Sequence, residues 1–420
     1  MKTKKNKIAV FGLGYVGLPL AISFAKKFEV IGYDISKKRI DELNAGFDIT
    51  GEVSGIDLEE SSALFSNNID DIRKVDFFIV TVPTPVDNKN TPDISLLISA
   101  CHDIAKIISK GACVIFESTV YPGCTEQDCI PVIEKGSGLK YKEDFHIGYS
   151  PERINPGDQK HNFENINKVV SGSSAKAEKL ILNLYSSVIK AEIFVAKSIM
   201  AAEAAKVLEN TQRDINIALM NEVSEICEKL NLNTFDVLEA AKTKWNFLDF
   251  RPGLVGGHCI GVDPYYLAYQ SKRLGVKPRV ILSGRLTNTR VANRIIKYVN
   301  SSRIKSKRLQ VTILGITFKE NCPDIRNSGS ISVLKGLNKS GIVPNILDPY
   351  FKEDPCIKNA NYNFVDSIKK ISKNQDFILI LTPHTSFQKI HPNKLRELIK
   401  KNGQIFDMTN FFKQADFKAL

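Results

Sequence analysis

The chain reads as α/β: two doubly wound domains with parallel sheets, joined by a helical middle domain with a long central helix. Three observations predict it. Apolar runs of strand length alternate with helical patterns at both ends of the 420 residues. A glycine turn, Gly12-Leu13-Gly14-Tyr15-Val16-Gly17, lies between the first such run and the first helical pattern. Between the two α/β segments, residues 198–230 contain neither Gly nor Pro.

In chain order, a strand over 7–11 leads into the glycine turn, a helical pattern covers 18–27, and a second strand over 30–33 ends at Asp34. This context turns a weak motif into a dinucleotide-binding fingerprint. The glycines allow a sharp turn and close approach of a pyrophosphate, and the helix amino terminus offers free amides. Asp34 can accept from both ribose hydroxyls and repels a 2′-phosphate, which predicts NAD over NADP. Further strands at 76–82, 112–117 and 145–149, with a helix over 94–108, extend the sheet. Their ends carry Val82-Pro83-Thr84-Pro85, Glu117-Ser118-Thr119 and Ser150-Pro151-Glu152-Arg153, which should line one crevice. The apolar positions Val207, Leu208, Ile215, Leu219, Val223, Ile226 and Leu230 recur with helical spacing, and Lys206 and Asn210 share one face of that helix. A third segment opens with a strand over 309–315 and continues through strands near 343–347 and 377–381. Gly315-Ile316-Thr317-Phe318-Lys319 occupies its first strand end, without a glycine fingerprint of its own. The expected domains are 1–197, a Rossmann-like NAD-binding domain; 198–305, a helical central domain; and 306–420, a second Rossmann-like domain.

Composition excludes several classes. Apolar residues at 43% and charged residues at 25% describe a globular chain without low-complexity tracts. No apolar stretch reaches bilayer length and the amino terminus lacks a signal-peptide core, so a cytoplasmic protein with no membrane partner is expected. The formal charge of +12 comes from lysines scattered through every segment, with no accompanying nucleic-acid-binding motif. No nucleic-acid partner is expected, although the excess favours anionic diphosphates. The cysteines, at positions 101, 113, 124, 129, 227, 259, 322 and 356, show neither close pairing nor neighbouring histidines, so no metal site is expected and the thiols should be reduced.

Covalent chemistry is suggested by Gly256-Gly257-His258-Cys259-Ile260-Gly261-Val262-Asp263-Pro264. A thiol that attacks an aldehyde needs open approach and help in becoming a thiolate, and glycines leave room for a substrate. Asp263, four residues on, can orient a water or move a proton. Taken alone, the loop also suits a tight turn around a buried thiol.

With these motifs in order, the chain resembles the UDP-glucose/GDP-mannose dehydrogenase family over nearly its whole length. The resemblance rests on Phe11 to Pro19, Val82-Pro83-Thr84-Pro85, Glu117-Ser118-Thr119, Ser150-Pro151-Glu152-Arg153, Gly256-Gly257-His258-Cys259 and Gly315-Ile316-Thr317-Phe318-Lys319. It implies a four-electron oxidation of a UDP-sugar C6 alcohol to a carboxylate, with Cys259 forming a thiohemiacetal and then a thioester while two NAD molecules are consumed. Lys206 and Asn210 then stabilise oxyanions, Asp263 and Thr119 handle water and protons, and Glu152 lies beside the substrate. Gly12, Gly14, Tyr15, Val16, Gly17, Asp34, Arg39, Pro83, Thr84 and Thr119 would hold NAD. Glu152, Arg153, Lys206, Asn210, Arg251, Gly256, His258, Phe318, Lys319 and Arg326 would meet the UDP-sugar. A homodimer built on the middle segment is expected.

Two departures narrow the substrate. Members acting on UDP-glucose carry an acid four residues beyond the Glu152 position, where this chain has Pro156, and an arginine well upstream of the nucleophile, where it has only Lys242, Lys244 and Arg251. The runs around Glu152, Trp245, Cys259 and Arg326 are similar to the branch oxidising UDP-N-acetylhexosamines. UDP-N-acetylglucosamine is the first choice; the galacto and manno epimers and UDP-glucose are alternatives. Products of such enzymes feed surface polysaccharides, including capsules and O-antigens. A hydroxy-acid dehydrogenase making one hydride transfer would not need Cys259, and a non-catalytic nucleotide-sugar sensor would not need the retained reactive groups.

Overall fold

A computed structural model describes residues 6–153, 163–257, 259–301, 309–351, 357 and 359–419. Pro156, His258 and Cys356 lie outside the described residues, as does the expected boundary at 305/306. The chain forms two compact units, Met1–Glu209 with Tyr265–Val276, and Asn210–Pro264 with Lys277–Leu420.

The first unit is built on strands β1 (Lys7–Phe11), β2 (Glu29–Tyr33), β3 (Leu64–Ser66), β4 (Phe77–Val80), β5 (Cys113–Phe116), β6 (His146–Tyr149), β7 (Lys168–Gly172) and β8 (Ile193–Val195). They form one sheet in the order β3-β2-β1-β4-β5-β6-β7-β8. Helices α1 (Gly17–Ala25), α2 (Lys37–Asn44), α3 (Gly55–Glu60), α4 (Ser95–Ile107), α5 (Ile130–Ser137) and α6 (Ala175–Ser186) connect them. The central strands β4, β5 and β6 are buried along their whole length, which is why β4 and β5 read as unbroken apolar runs rather than alternating ones. Strand order reverses at β1, which lies between β2 and β4, so a crevice opens beyond the carboxyl ends of β1 and β4.

One feature departs from the expected all-parallel sheet. β7 pairs antiparallel with β6 through Gly148↔Gly172 and Tyr149↔Ser171, and β8 then runs parallel to β7. The turnback brings Lys168, at the start of β7, to the strand ends that carry Glu117 and Glu152.

The residues 198–230 form α7 (Ile199–Leu230), one residue shorter at its start than the sequence predicts. It is followed by α8 (Thr234–Lys242), α9 (Asp263–Arg273) and α10 (Arg279–Asn300). The second unit's sheet comprises β9 (Val311–Leu314), β10 (Asn345–Leu347), β11 (Asn363–Phe364), β12 (Gln375–Ile380) and β13 (Ile399–Asp407), all parallel, in the order β11-β10-β9-β12-β13. Helices α11 (Gly329–Lys339) and α12 (Pro392–Leu398) complete it. A core of Val291, Ile295 and Val299 from α10 packs with Val333, Leu334 and Leu337 from α11 against Ile313, Phe377 and Leu379 of the sheet. The middle helix α10 and the last α/β segment thereby share one core. No described helix is long and apolar enough to cross a membrane.

Candidate functional site

In the first unit the glycine turn has the geometry a dinucleotide needs. Gly12 adopts φ +89°, a conformation that disfavours any side chain. A Cβ on Gly17 would lie 1.8 Å from the Gly12 carbonyl oxygen, so this glycine is required by helix packing. A Cβ on Gly14 would meet no protein atom within 4 Å. The protein itself does not demand glycine at position 14, whereas a pyrophosphate laid across the turn does. Tyr15 and Val16 complete the turn half-buried, and α1 has no side-chain cap on its first amides, which leaves that end suited to an anion. Asp34 is oriented by two amides, Leu13 N onto Oδ2 at 2.9 Å and Ser36 N onto Oδ1 at 2.9 Å. Each oxygen retains a lone pair for a ribose hydroxyl. The residues therefore fit NAD.

Arg39, on α2, reaches the glycine turn. Its Nε donates to the Leu13 carbonyl at 2.9 Å and its Nη2 to Asp48 at 2.7 Å, and the side chain is buried. It braces the glycine turn from within the protein. Across the crevice Thr84 Oγ1 donates to the Thr119 carbonyl at 2.6 Å, tying two of the predicted strand ends together. The exposed Pro83 precedes it. Tyr266, on α9 and fully buried, donates to the carbonyls of Thr84 at 2.8 Å and Pro85 at 3.1 Å.

The third strand end holds a buried charge cluster. Lys168 Nζ donates to Glu117 Oε2 at 2.8 Å and to Glu152 Oε2, and Tyr185 Oη donates to Glu117 Oε1. The Glu152 Oε1 atom accepts from Arg153 N at 2.6 Å, and its backbone carbonyl accepts from Lys206 Nζ at 2.7 Å. Arg153 pairs with Glu209 of α7. Burial lifts the Glu117 carboxyl to about 7 despite the pull of Lys168. The same burial opposes the charge on Glu152, but Lys168, the Arg153 amide and Lys206 outweigh it and hold that carboxyl below its usual range. Burial also opposes the charge on Lys168, yet the two carboxylates keep its ammonium above the ordinary lysine value. Glu152 and Lys206 are thus brought together through the Glu152 backbone rather than its carboxylate. The sequence reading missed Lys168; it sits in a run, Lys-Val-Val-Ser-Gly, whose pattern carries no signal of a buried charge.

In the second unit Asn210, fully buried on α7, donates through Nδ2 to Asp263 Oδ2 at 2.5 Å. Asp263 opens α9, and the amides of Val262 and Asp263 close on the Cys259 carbonyl at 3.1 and 2.9 Å. Cys259 is therefore held at the mouth of a helix, and among the described cysteines it alone is not buried; none of these forms a disulfide. Gly256 and Gly257 lie against Phe318 and Asn327: a Cβ on Gly256 would stand 2.8 Å from the Asn327 carbonyl, and one on Gly257, at φ +81°, 2.7 Å from the Phe318 ring. These glycines let the thiol loop close on the loop after β9. A clamp that the sequence reading also missed anchors the other end of this stretch. The Asn221 amide donates to the Gly253 carbonyl at 3.0 Å and accepts from Gly253 N at 2.8 Å. Asn221 is itself gripped by Asn288 at 2.8 Å, and Asn288 and Arg285 both donate to buried Asp214.

The expected substrate cations are engaged by acids. Arg251 donates to Asp249 at 2.8 Å and Glu239 at 2.7 Å. Arg326 folds back on Asp324, with Nη2 to Oδ2 at 2.7 Å. In the loop after β9 the amides of Ile316 and Thr317 donate to Asp348 at 2.7 and 3.2 Å, so a carboxylate occupies the donors that a phosphate loop would present. Asp348 in turn meets buried His384 Nε2 at 3.0 Å, while His384 Nδ1 accepts from Asn321 N, which sets the neutral Nε2–H tautomer. Phe318 and Lys319 follow on this loop, both half-buried. Among the described residues no group of three His, Cys, Asp or Glu side chains could hold a metal ion.

Three family profiles match in order: the NAD binding domain of the UDP-glucose/GDP-mannose dehydrogenase family over residues 6–189, its central domain over 200–290 and its UDP binding domain over 312–414. A UDP-N-acetyl-D-glucosamine 6-dehydrogenase of Salmonella typhi is 46% identical over 407 residues, covering 96% of this chain and 95% of the relative. Another, of Pseudomonas aeruginosa, is 46% identical over 410 residues, with 96% and 97% covered. Among solved structures, a UDP-D-ManNAc dehydrogenase from Pyrococcus horikoshii superposes with a TM-score of 0.88 at 30% identity, covering 98% of each chain. With the glycine turn, the Cys259 loop and the Lys206–Asn210 helix in place, these matches make the chain an NAD-dependent oxidoreductase that belongs to the UDP-glucose/GDP-mannose dehydrogenase family.

Proposed function

We propose that the protein oxidises the C6 alcohol of UDP-N-acetylglucosamine to the carboxylate in two successive oxidations. The observation that carries the substrate is the 46% identity to two UDP-N-acetyl-D-glucosamine 6-dehydrogenases across nearly the full chain. The proposed division of labour follows the sequence boundaries: cofactor on 1–197, thiol loop and long helix on 198–305, UDP on 306–420. NAD, when bound to the Gly12–Gly17 turn and Asp34, takes up two electrons at each oxidation.

The chain's own residues do the rest. Lys206, its ammonium held at 2.7 Å by the Glu152 carbonyl, offers positive charge to the alkoxide and to later oxyanions, with the Asn210 amide as a second donor. The Cys259 thiolate adds to the aldehyde carbon at the amino-terminal end of α9, where the helix dipole favours negative charge, and forms a thiohemiacetal. Oxidation of that adduct gives a thioester. Asp263, fixed by Asn210, then takes a proton from the water that attacks the thioester, releasing the acid and the thiol. Thr119, linked to Thr84, shapes the cofactor side, and Arg153, Gly256, Phe318 and Lys319 border the sugar nucleotide. Arg251 and Arg326 meet it alongside, or in exchange for, their present acidic partners.

The test is a screen of UDP-sugars with NAD. UDP-N-acetylglucosamine should yield two equivalents of NADH per sugar and far exceed UDP-glucose in kcat/KM. One equivalent would remove the second oxidation, and UDP-glucose as best substrate would remove the substrate assignment while leaving the family intact.

The proposed assembly is a homodimer. On α7, Leu219, Ile226 and Leu230 stand exposed at spacings that share one helix face, and Trp245 is 96% exposed. Light scattering at micromolar concentration should return twice the chain mass; a fully active monomer would count against it.

A further inference from the structure

Lys168 has no place in the reaction as described, yet it is the most completely buried cation beside it. It enters from β7, the strand that turns back antiparallel, and its ammonium meets carboxylates from two different strand ends, Glu117 after β5 and Glu152 after β6. Two aromatic rings flank it, with centroids at 5.1 Å for Phe163 and 5.5 Å for Tyr185. A buried ammonium in such a setting is kept only by its partners.

We propose that Lys168 is a positioning residue: by engaging the Glu152 carboxylate it fixes the Glu152 backbone, whose carbonyl holds the Lys206 ammonium in its working place. The connection is continuous. Lys168 Nζ bonds Glu152 Oε2, Glu152 Oε1 takes the Arg153 amide at 2.6 Å, and the Glu152 carbonyl takes Lys206 Nζ at 2.7 Å. Glu152 serves both donors best when ionised, since protonation turns one oxygen into a hydroxyl that accepts more weakly and must place a proton of its own. Glu117 competes for the same cation from the other side.

Among the described residues, the titratable groups facing Glu152 and Lys168 are Glu117 after β5, Tyr185 from α6, Lys206 from α7 and Arg153 beside Glu152, with Arg153 itself paired to Glu209. Their balance makes the cluster sensitive to pH. With Glu117 protonated, one ammonium serves one carboxylate; with Glu117 ionised, two carboxylates share it. Burial raises the Glu117 carboxyl to about 7, which puts that change near neutral pH.

The inference rests on the proposed role of Lys206, and its test separates the two. The pH profile of kcat should show an acid limb where Glu152 gains a proton. Lys168→Met removes the cation that keeps Glu152 ionised. It should lower kcat at least tenfold, leave KM for NAD within about twofold, and move the acid limb up by about one pH unit. Glu117→Gln leaves Lys168 to Glu152 alone and should move the limb down. A merely structural cluster would not yield shifts of opposite sign.

If Lys168→Met keeps wild-type kcat and limb while Lys206→Ala is crippled, the link through Glu152 is overturned and the reading of Lys206 stands. If Lys206→Ala is itself near wild type, the role of Lys206 fails and takes this inference with it. Should Lys168→Met not fold, Glu117→Gln decides alone, and an unmoved limb overturns the proposal.

Discussion

Replacing Cys259 by serine is expected to lower production of the acid by on the order of 10³-fold or more while leaving NAD binding and the melting temperature unchanged. Serine differs from cysteine in one atom. The backbone bonds that place the residue, from the Val262 and Asp263 amides to its carbonyl, do not involve the side chain. What changes is nucleophilicity: a hydroxyl releases its proton far less readily than a thiol, and an ester formed in place of a thioester is slower to hydrolyse. An acyl-enzyme ester should accumulate and be visible as added mass on the peptide containing residue 259. Near-normal acid formation by Cys259→Ser would eliminate the covalent route and leave two unassisted oxidations through a free aldehyde.

The second large effect belongs to Lys206. Lys206→Ala should reduce kcat by about 10²- to 10³-fold, the usual consequence of deleting a preorganised donor aimed at developing negative charge. The loss should fall on kcat rather than on KM for NAD, because the proposed cofactor contacts Gly12, Gly14 and Asp34 are untouched. Some destabilisation accompanies it, since the Glu152 carbonyl loses its donor at a buried site, worth about 1–3 kcal/mol. A rate within tenfold of wild type would mean that the oxyanion is met by another group, with Asn210 the first to examine.

Much of this molecule is local and was legible as sequence. The glycine turn, the acid ending β2 and the three polar strand ends lie within short stretches whose backbone is dictated by their own residues. Gly12 at φ +89° and Gly257 at φ +81° are instances in which the residue type states the conformation. The long helix was legible for the same reason, an unbroken helical period without Gly or Pro. Arg251 and Arg326, expected at the substrate, each pair with an acid two residues away, Asp249 and Asp324. There the information was present in the sequence. A short loop brings neighbouring opposite charges together more cheaply than a longer reach does.

The sequence by itself determined which elements form and which side chains are candidates for the chemistry: β1 and the turn to α1, the α7 helix with Lys206 and Asn210 one turn apart, and Cys259 four residues before Asp263. The tertiary structure alone decided what those side chains face. Lys168 is separated from Glu117 by 51 residues, Asn221 from Gly253 by 32 and Tyr266 from Thr84 by 182, and no periodicity in one dimension encodes such meetings. The antiparallel return of β7 is what aims a lysine between two glutamates. Helix and strand periods follow from backbone geometry over a few residues, whereas the charge state of a buried group depends on every element packed around it.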